Sequence, residues 1–274
     1  MRKVTLKQPA ADTTAAPKKI AVRAAFRVQP TADADADAAT DTDTSTNYSY
    51  IGKTIEETYQ SKELRDHIYS DPDTYAGSID VREEDVWHYS EVDKRMVYGK
   101  VTYMESFYKL FDEILVNAID QHQRVAGLIA KGQKCRPVTR ININFDETTG
   151  LISVENDGTG IDVVMHDKKG VYVPQFLFGD LLTSINYDSK EERRVGGKNG
   201  YGAKIVNIFS KEFTVETVDN IRGLHYKQTW RDNMTVVEPP IITPTKRLPF
   251  TKFTYMPDYP RFKITDPSTM GDWK

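Results

Sequence analysis

The chain has 274 residues, 39% of them hydrophobic and 28% charged, with 37 basic side chains against 40 acidic ones and a formal net charge of −3. At roughly 150 residues per domain this suits one or two domains, and the balanced charge gives no overall basic excess of the kind that marks a nucleic-acid binder by composition alone. No run of roughly 18 apolar residues exists, which excludes a transmembrane helix, and the single cysteine, Cys135, excludes an internal disulfide framework and any cysteine-based zinc site, so a reducing, intracellular compartment is expected.

Residues 1–30 carry seven lysines or arginines and one acid, Asp12, whereas residues 31–47 carry five aspartates and no base in an Ala/Thr/Asp alternation. So little apolar surface cannot offset the entropy of ordering, and residues 1–47 are expected to form a disordered, low-complexity tail. Its basic start suits an organellar presequence, a basic patch for nuclear import or DNA contact, or a plain solvated tail. Residues 48–274 have the composition of one globular domain. In it, 54–70 reads as a short helical stretch that Asp71-Pro72-Asp73 interrupts. The strongest helix spans 105–130, where Phe107, Phe111, Ile114, Leu115 and Ala118 recur on one face. Ile141, Ile143 and Phe145 alternate with Asn142 and Asn144, and a turn at Asp146–Gly150 leads into Leu151-Ile152-Ser153-Val154, which predicts a strand pair. A buried helix is expected over 171–182, a second helix over Ala203–Phe209, and strands over 212–218, 224–230 and 250–256. This order lacks regular βαβα alternation and predicts an α/β two-layer sandwich with a mixed, largely antiparallel sheet.

Three segments carry chemistry. On the long helix Glu113, Asn117, Asp120 and Gln121 project within an arc of about 100°, opposite the apolar face. A carboxylate there can take a proton from water, and an amide oxygen one turn away can ligate a hard cation such as Mg²⁺; a solvated polar face has the same pattern. Glu155-Asn156-Asp157-Gly158-Thr159-Gly160-Ile161 follows a strand, and its glycines allow close backbone approach to a ligand. Asp157 can accept a hydrogen bond from an exocyclic amine such as that of adenine, although an ordinary polar turn reads alike. Gly196-Gly197-Lys198-Asn199-Gly200-Tyr201-Gly202-Ala203-Lys204 opens a helix, a setting that suits polyphosphate and equally a flexible loop. Ala203-Lys204 replaces the Lys and Ser/Thr of a P-loop, and Ile205 replaces the last glycine of a dinucleotide fingerprint. The three together are the parts of a nucleotide site that lacks a P-loop.

That ordered set resembles the GHKL ATPases, which include gyrase-type topoisomerases, Hsp90 chaperones, MutL mismatch-repair proteins and histidine kinases, and it implies their Bergerat fold. Tyr59-Gln60, Asp71-Pro72-Asp73-Thr74-Tyr75, Phe111-Asp112-Glu113-Ile114-Leu115-Val116-Asn117-Ala118, Val171-Tyr172-Val173-Pro174, Asn199-Gly200-Tyr201-Gly202-Ala203-Lys204 and Lys227-Gln228-Thr229-Trp230 are similar to the N-terminal ATPase region of eukaryotic-type, type IIA DNA topoisomerases, viral members included. The match runs from about Tyr59 to Phe262. The resemblance implies ATP and Mg²⁺ as ligands, with Glu113 the general base, Asn117 the Mg²⁺ ligand, and Asp157 the reader of the adenine amine, helped by Thr254. Asp120, Gln121, Gly158, Gly160 and Thr183 would border the nucleotide, and Ser184 and Asn186 would contact ribose and phosphate. Gly197, Lys198, Asn199, Gly200, Tyr201, Gly202, Ala203 and Lys204 would wrap the triphosphate, with Lys204 as its charge partner. Tyr59 would lie in a strap that reaches the nucleotide of the other subunit.

Four positions depart from the pattern. Asp157 stands where animal enzymes usually have Asn, and Gln121, Ile185 and Lys198 stand for Asn, Ser and Arg; Ile185 lacks a hydroxyl for the sugar, and Lys198 lacks the planar fork of arginine. The resemblance further implies a homodimer closed by ATP, double-stranded DNA as the partner of the full-length enzyme, no membrane, and passage of one duplex through a transient double-strand break in another. Lys274 precedes the second family domain and the DNA-cleaving core, so the chain itself is expected to bind ATP without cleaving DNA. It implies a nuclear location for a cellular enzyme and a cytoplasmic replication site or virion for a viral one, while the basic start keeps an organelle open. The alternative from another class is a GHKL nucleotide-sensing module or scaffold without strand passage; a chaperone or mismatch-repair ATPase has no reason to carry Tyr-Gly-Ala-Lys or Lys-Gln-Thr-Trp.

Overall fold

The computed structural model describes residues 63–181 and 201–266, all within one compact unit, Gln60–Lys274. The expected tail, residues 1–47, lies outside the described residues. Helix α1, Leu64–Ser70, stops at Asp71, whose N–H returns to the His67 carbonyl, and Pro72 opens a single 3₁₀ turn, Pro72–Thr74, as a ring without an N–H dictates. Strands β1 (Val81–Ser90) and β2 (Arg95–Met104) pair antiparallel as a separate ribbon. The sequence reading assigned nothing to this ribbon, because apolar and charged residues share both of its faces. Strand β2 runs without a loop into α2, Glu105–Ala130, which buries Phe107, Leu110, Ile114, Ala118 and Val125. Phe111 and Leu115 are half-buried at the margin of that face.

The main sheet has seven strands. Strands β3 (Ile141–Asp146) and β4 (Leu151–Asn156) come first, and β7 (Ser210–Asp219), β8 (Leu224–Arg231), β9 (Val236–Val237), β10 (Ile241–Pro244) and β11 (Thr251–Pro257) follow. Their order is β10-β8-β7-β11-β4-β3, with β9 on β8, and every described pairing is antiparallel. A small pair, β5 (Met165–His166) and β6 (Val171–Tyr172), leads into α3, Val173–Gly179, and α4 spans Gly202–Ile208. The helix expected over 171–182 is therefore shorter, half-buried, and begins after two residues of strand.

Period-two alternation divides the sheet into two faces. Ile152, Val154, Phe213, Val215, Trp230, Phe253 and Tyr255 point inward and pack with Leu110, Ile114 and Ala118 of α2 and with Val206 and Ile208 of α4. Ser153, Thr254, Thr214 and Thr229 share the opposite face. The result is the two-layer sandwich read from the sequence, with one layer of helices over one face of the sheet. Buried Asp258 fastens the ends of the chain path, accepting hydrogen bonds from Tyr69 Oη (3.0 Å) and Asn233 Nδ2 (3.1 Å) and pairing with Lys211 Nζ (3.1 Å).

Candidate active site

A cavity of about 1090 Å³ opens between α2, the turn after β4, the start of α4 and β11, just above the roughly 300–1,000 Å³ usual for small-molecule sites. Helix α2 forms one wall with Glu113, Asn117, Asp120, Gln121 and Arg124, a stripe roughly 16 Å long at 1.5 Å per residue. Lys109, one turn before Glu113, puts Nζ 2.7 Å from Glu113 Oε1 and 3.4 Å from Asp112 Oδ2. Burial alone would lower the Lys109 ammonium, but hydrogen bonds and charge from Glu113 and Asp112 outweigh it and hold it above the ordinary range. Gln121 is a fastener: its Nε2 donates to the Thr159 carbonyl (2.7 Å), and its Oε1 accepts from Arg124 Nε (3.0 Å) and Nη2 (2.8 Å).

The glycine turn is held by close contacts that tolerate no side chain. A Cβ on Gly160 would lie 2.1 Å from the Val218 carbonyl oxygen, and one on Gly158 would lie 2.4 Å from Val138 Cγ2. The Ile161 N–H donates to Thr217 Oγ1 (3.0 Å), and the Val163 N–H donates to Asp219 Oδ2 (3.0 Å).

The structure corrects three assignments around this turn. Asp157 does not line the cavity; its carboxylate accepts from the Thr139 N–H (2.8 Å), Thr139 Oγ1 (2.6 Å) and the Arg140 N–H (2.9 Å). Burial would raise this carboxyl, but those bonds prevail and bring it down to about 2. The cavity is lined instead by Asn156, which is 2% exposed and whose Oδ1 has no hydrogen-bond partner among the described residues. The alternation of β4 was the signal: Ile152 and Val154 point inward, so residue 156 does too. Thr254 is likewise on the wrong face, paired with Ser153 and Thr214, while Thr251 and Phe253 line the cavity. Thr251 Oγ1 meets Thr217 Oγ1 at 3.1 Å. Gly158 is also absent from the lining.

At the other end of the cavity, α4 begins against Glu113: a Cβ on Gly202 would fall 2.1 Å from Glu113 Oε2. Tyr201, Gly202, Ala203 and Lys204 all line the cavity, as does Gly160. Lys204 is 1% exposed, and burial pushes its ammonium down to about 8 against the pull of Asp180. The fold thus brings Glu113, Asn117, Asp120, Gln121, Gly160, Tyr201, Gly202, Ala203 and Lys204 to one cavity. Tyr59, Thr183, Ser184, Asn186, Gly197, Lys198, Asn199 and Gly200 lie outside the described residues.

No group of three or more His, Cys, Asp or Glu forms a metal cage among the described residues. Mg²⁺ needs no such cage, because one or two protein oxygens together with substrate phosphates usually hold it. The carboxamide oxygen of Asn117, one turn from Glu113 on the cavity wall, is a donor of that kind.

Residues 104–232 match the family described as histidine kinase-, DNA gyrase B- and HSP90-like ATPase. The chain belongs to this family of ATPases. Within it, the chain is similar to type II DNA topoisomerases. The chain is 42% identical over 228 residues to DNA topoisomerase 2 of Acanthamoeba polyphaga mimivirus, covering 81% of the chain and 17% of that protein. It is 42% identical over 211 residues to the Saccharomyces cerevisiae enzyme, covering 77% of the chain and 14% of that protein. Among solved structures it is similar to the ATPase and transducer domains of Balamuthia mandrillaris DNA topoisomerase II, at 49% identity and a TM-score of 0.71 over 77% of this chain and 52% of that one. The ATPase region of the Saccharomyces cerevisiae enzyme gives 41% identity and a TM-score of 0.71, over 77% of this chain and 54% of that one. The chain therefore spans less than a fifth of its curated relatives and about half of the solved domains.

Proposed function

We propose that this domain binds ATP with Mg²⁺ and hydrolyses it, and that in a full-length enzyme the nucleotide closes two subunits into a gate that traps a DNA duplex for passage through a second, transiently broken one. The observation that carries the nucleotide reading is the shared cavity, with an unpartnered, buried Asn156 Oδ1 in one wall and Glu113 against the start of α4 in another. An amide oxygen buried without a partner costs stability until a donor meets it. The exocyclic amine of adenine is such a donor, and Thr251 offers a hydroxyl beside it. Glu113 takes the proton from the water that attacks the terminal phosphate, and Lys109 holds that carboxylate in place. Lys204 supplies positive charge to the phosphates from a desolvated position, where charge counts for more than in water. Bound through Asn117, Mg²⁺ would neutralise phosphate charge.

Glu113→Ala is expected to bind ATP within a few-fold of wild type while losing at least 100-fold in turnover, as removal of a general base commonly costs about 10²–10⁴. Phosphate release and equilibrium binding of a fluorescent ATP analogue check this. Wild-type turnover in the variant would remove Glu113 from the mechanism. Dimer closure and DNA passage are tested on a full-length enzyme, by ATP-dependent crosslinking of subunits and by relaxation of supercoiled plasmid.

A further inference from the structure

Cys135 is the chain's one cysteine and is half-buried. It lines the same cavity as Asn156 and Gln121, at the end formed by Arg124, Leu128 and Gln133. Its backbone neighbours are anchored on both sides. The Gln133 N–H closes the end of α2 on the Leu128 carbonyl (3.0 Å), the Arg136 N–H donates to Thr159 Oγ1 (2.7 Å), and Arg136 Nε donates to the Asp157 carbonyl (2.8 Å). The chain on either side of Cys135 is thus held between the end of α2 and the glycine turn. Arg124 lies within electrostatic reach of Cys135 and carries its guanidinium in a largely desolvated place. Of the five N–H donors of an arginine, those on Nε and Nη2 go to Gln121. A cation there can pair with the carboxylates of a group attached to the sulfur. Independently of the thiol, the unpartnered Oδ1 of Asn156, in a side chain 2% exposed, marks this cavity as one that receives a ligand.

We propose that Cys135 is a modification site inside the nucleotide cavity, forming a mixed disulfide with a small anionic disulfide of the glutathione class, and that the adduct excludes the nucleotide. The proposal rests on the nucleotide reading given above. In the step, the Cys135 thiolate attacks one sulfur of the incoming disulfide. That S–S bond breaks as a new one forms to Cys135, and the other half leaves as a thiolate that takes up the proton Cys135 gave to solvent. Oxidation of Cys135 is balanced by reduction of the departing half. A thiol reductant reverses it.

The test uses the 274-residue chain, in which any thiol adduct reports on Cys135. The chain and Cys135→Ser are treated with glutathione disulfide, adducts are counted by intact mass, folding is followed by circular dichroism, and a fluorescent ATP analogue measures binding. One adduct per wild-type chain is expected, its formation slowed at least tenfold by saturating ATP. The folded adduct should bind the analogue at least tenfold more weakly and recover on reduction, while Cys135→Ser is unaffected by the same treatment. Equal rates with and without ATP, an adduct that binds the analogue as well as untreated chain, or no adduct on the folded chain when the denatured chain forms one, each overturn the proposal. If neither the untreated chain nor Cys135→Ser binds the analogue, the nucleotide reading fails and this proposal falls with it; weak binding confined to the adduct separates the two.

Discussion

Asn156 and Asp157 are adjacent in the chain and have opposite fates. One keeps a free oxygen in the cavity, and the other is fully engaged outside it, clamping Thr139 and Arg140 at the entry to β3. Asn156→Ala is therefore expected to lower ATP affinity about 5- to 30-fold, since one hydrogen bond of this kind is worth about 1–2 kcal/mol. Asp157→Ala should leave affinity within threefold and cost about 1–3 kcal/mol of stability. Binding titrations and urea melts on both variants check the pair. Because the Asp157 carboxyl is held at about 2, its contribution is present above the ordinary carboxylate range and is lost as pH falls through 2. Lys204 has the opposite dependence, its ammonium sitting at about 8 against an ordinary 10.5. Between those values the unfolded chain binds more protons, so this group makes the fold gain stability as pH rises, and at pH 7 its buried charge is a cost. Lys204→Met should stabilise the nucleotide-free domain by about 1–3 kcal/mol at pH 7 and reduce affinity for ATP at least tenfold. Melting at pH 7 and pH 10, where the gain shrinks, measures the first effect, and titration measures the second.

The elements show which signals a sequence transmits well. Helix α2 was legible to its ends because an apolar stripe of period 3.6 persisted from Phe107 to Val125. Strands β3, β4, β7, β8 and β11 were legible because each keeps one inward face. The ribbon β1–β2 escaped because Trp87 (66% exposed) and Tyr98 (62% exposed) meet edge to face across the pair while remaining largely in solvent, so it lacks an inward set to produce alternation. The misplaced readers Asp157 and Thr254 were errors of parity. The ends of β4 and β11 were placed within a residue or two, and a slip of one residue moves a side chain to the other face. The glycine turn leaves no room for a side chain at Gly158 or Gly160. Gly160→Ala must push the turn off the Val218 carbonyl and is expected to destabilise by at least 2 kcal/mol and weaken ATP binding, whereas Gly132→Ala, with nothing within 4 Å of its Cβ, should incur only the cost of its φ of 81°. Chemical melts of the two variants separate crowding from backbone strain.

At the scale of the described residues, one layer of helices covers one face of the main sheet, and the cavity lies where that layer is open between α2 and α4. A ligand filling it joins both helices to the glycine turn and must stabilise the fold by mass action. An ATP analogue with Mg²⁺ at one hundred times its dissociation constant contributes about 2.7 kcal/mol, or a rise of roughly 5–10 °C in melting temperature for a domain of this size. Asn156→Ala at the same concentrations should gain only about 0.9–1.8 kcal/mol, roughly a third to two thirds of that, in a thermal-shift assay. The loop-free junction of β2 and α2 has a mechanical consequence. Met104 ends the ribbon and Glu105 begins the helix, so the aromatic ribbon and the Glu113 carboxylate are mounted on a single stiff rod, about 12 Å apart along its axis. A load on the ribbon acts on that rod with no hinge to absorb it.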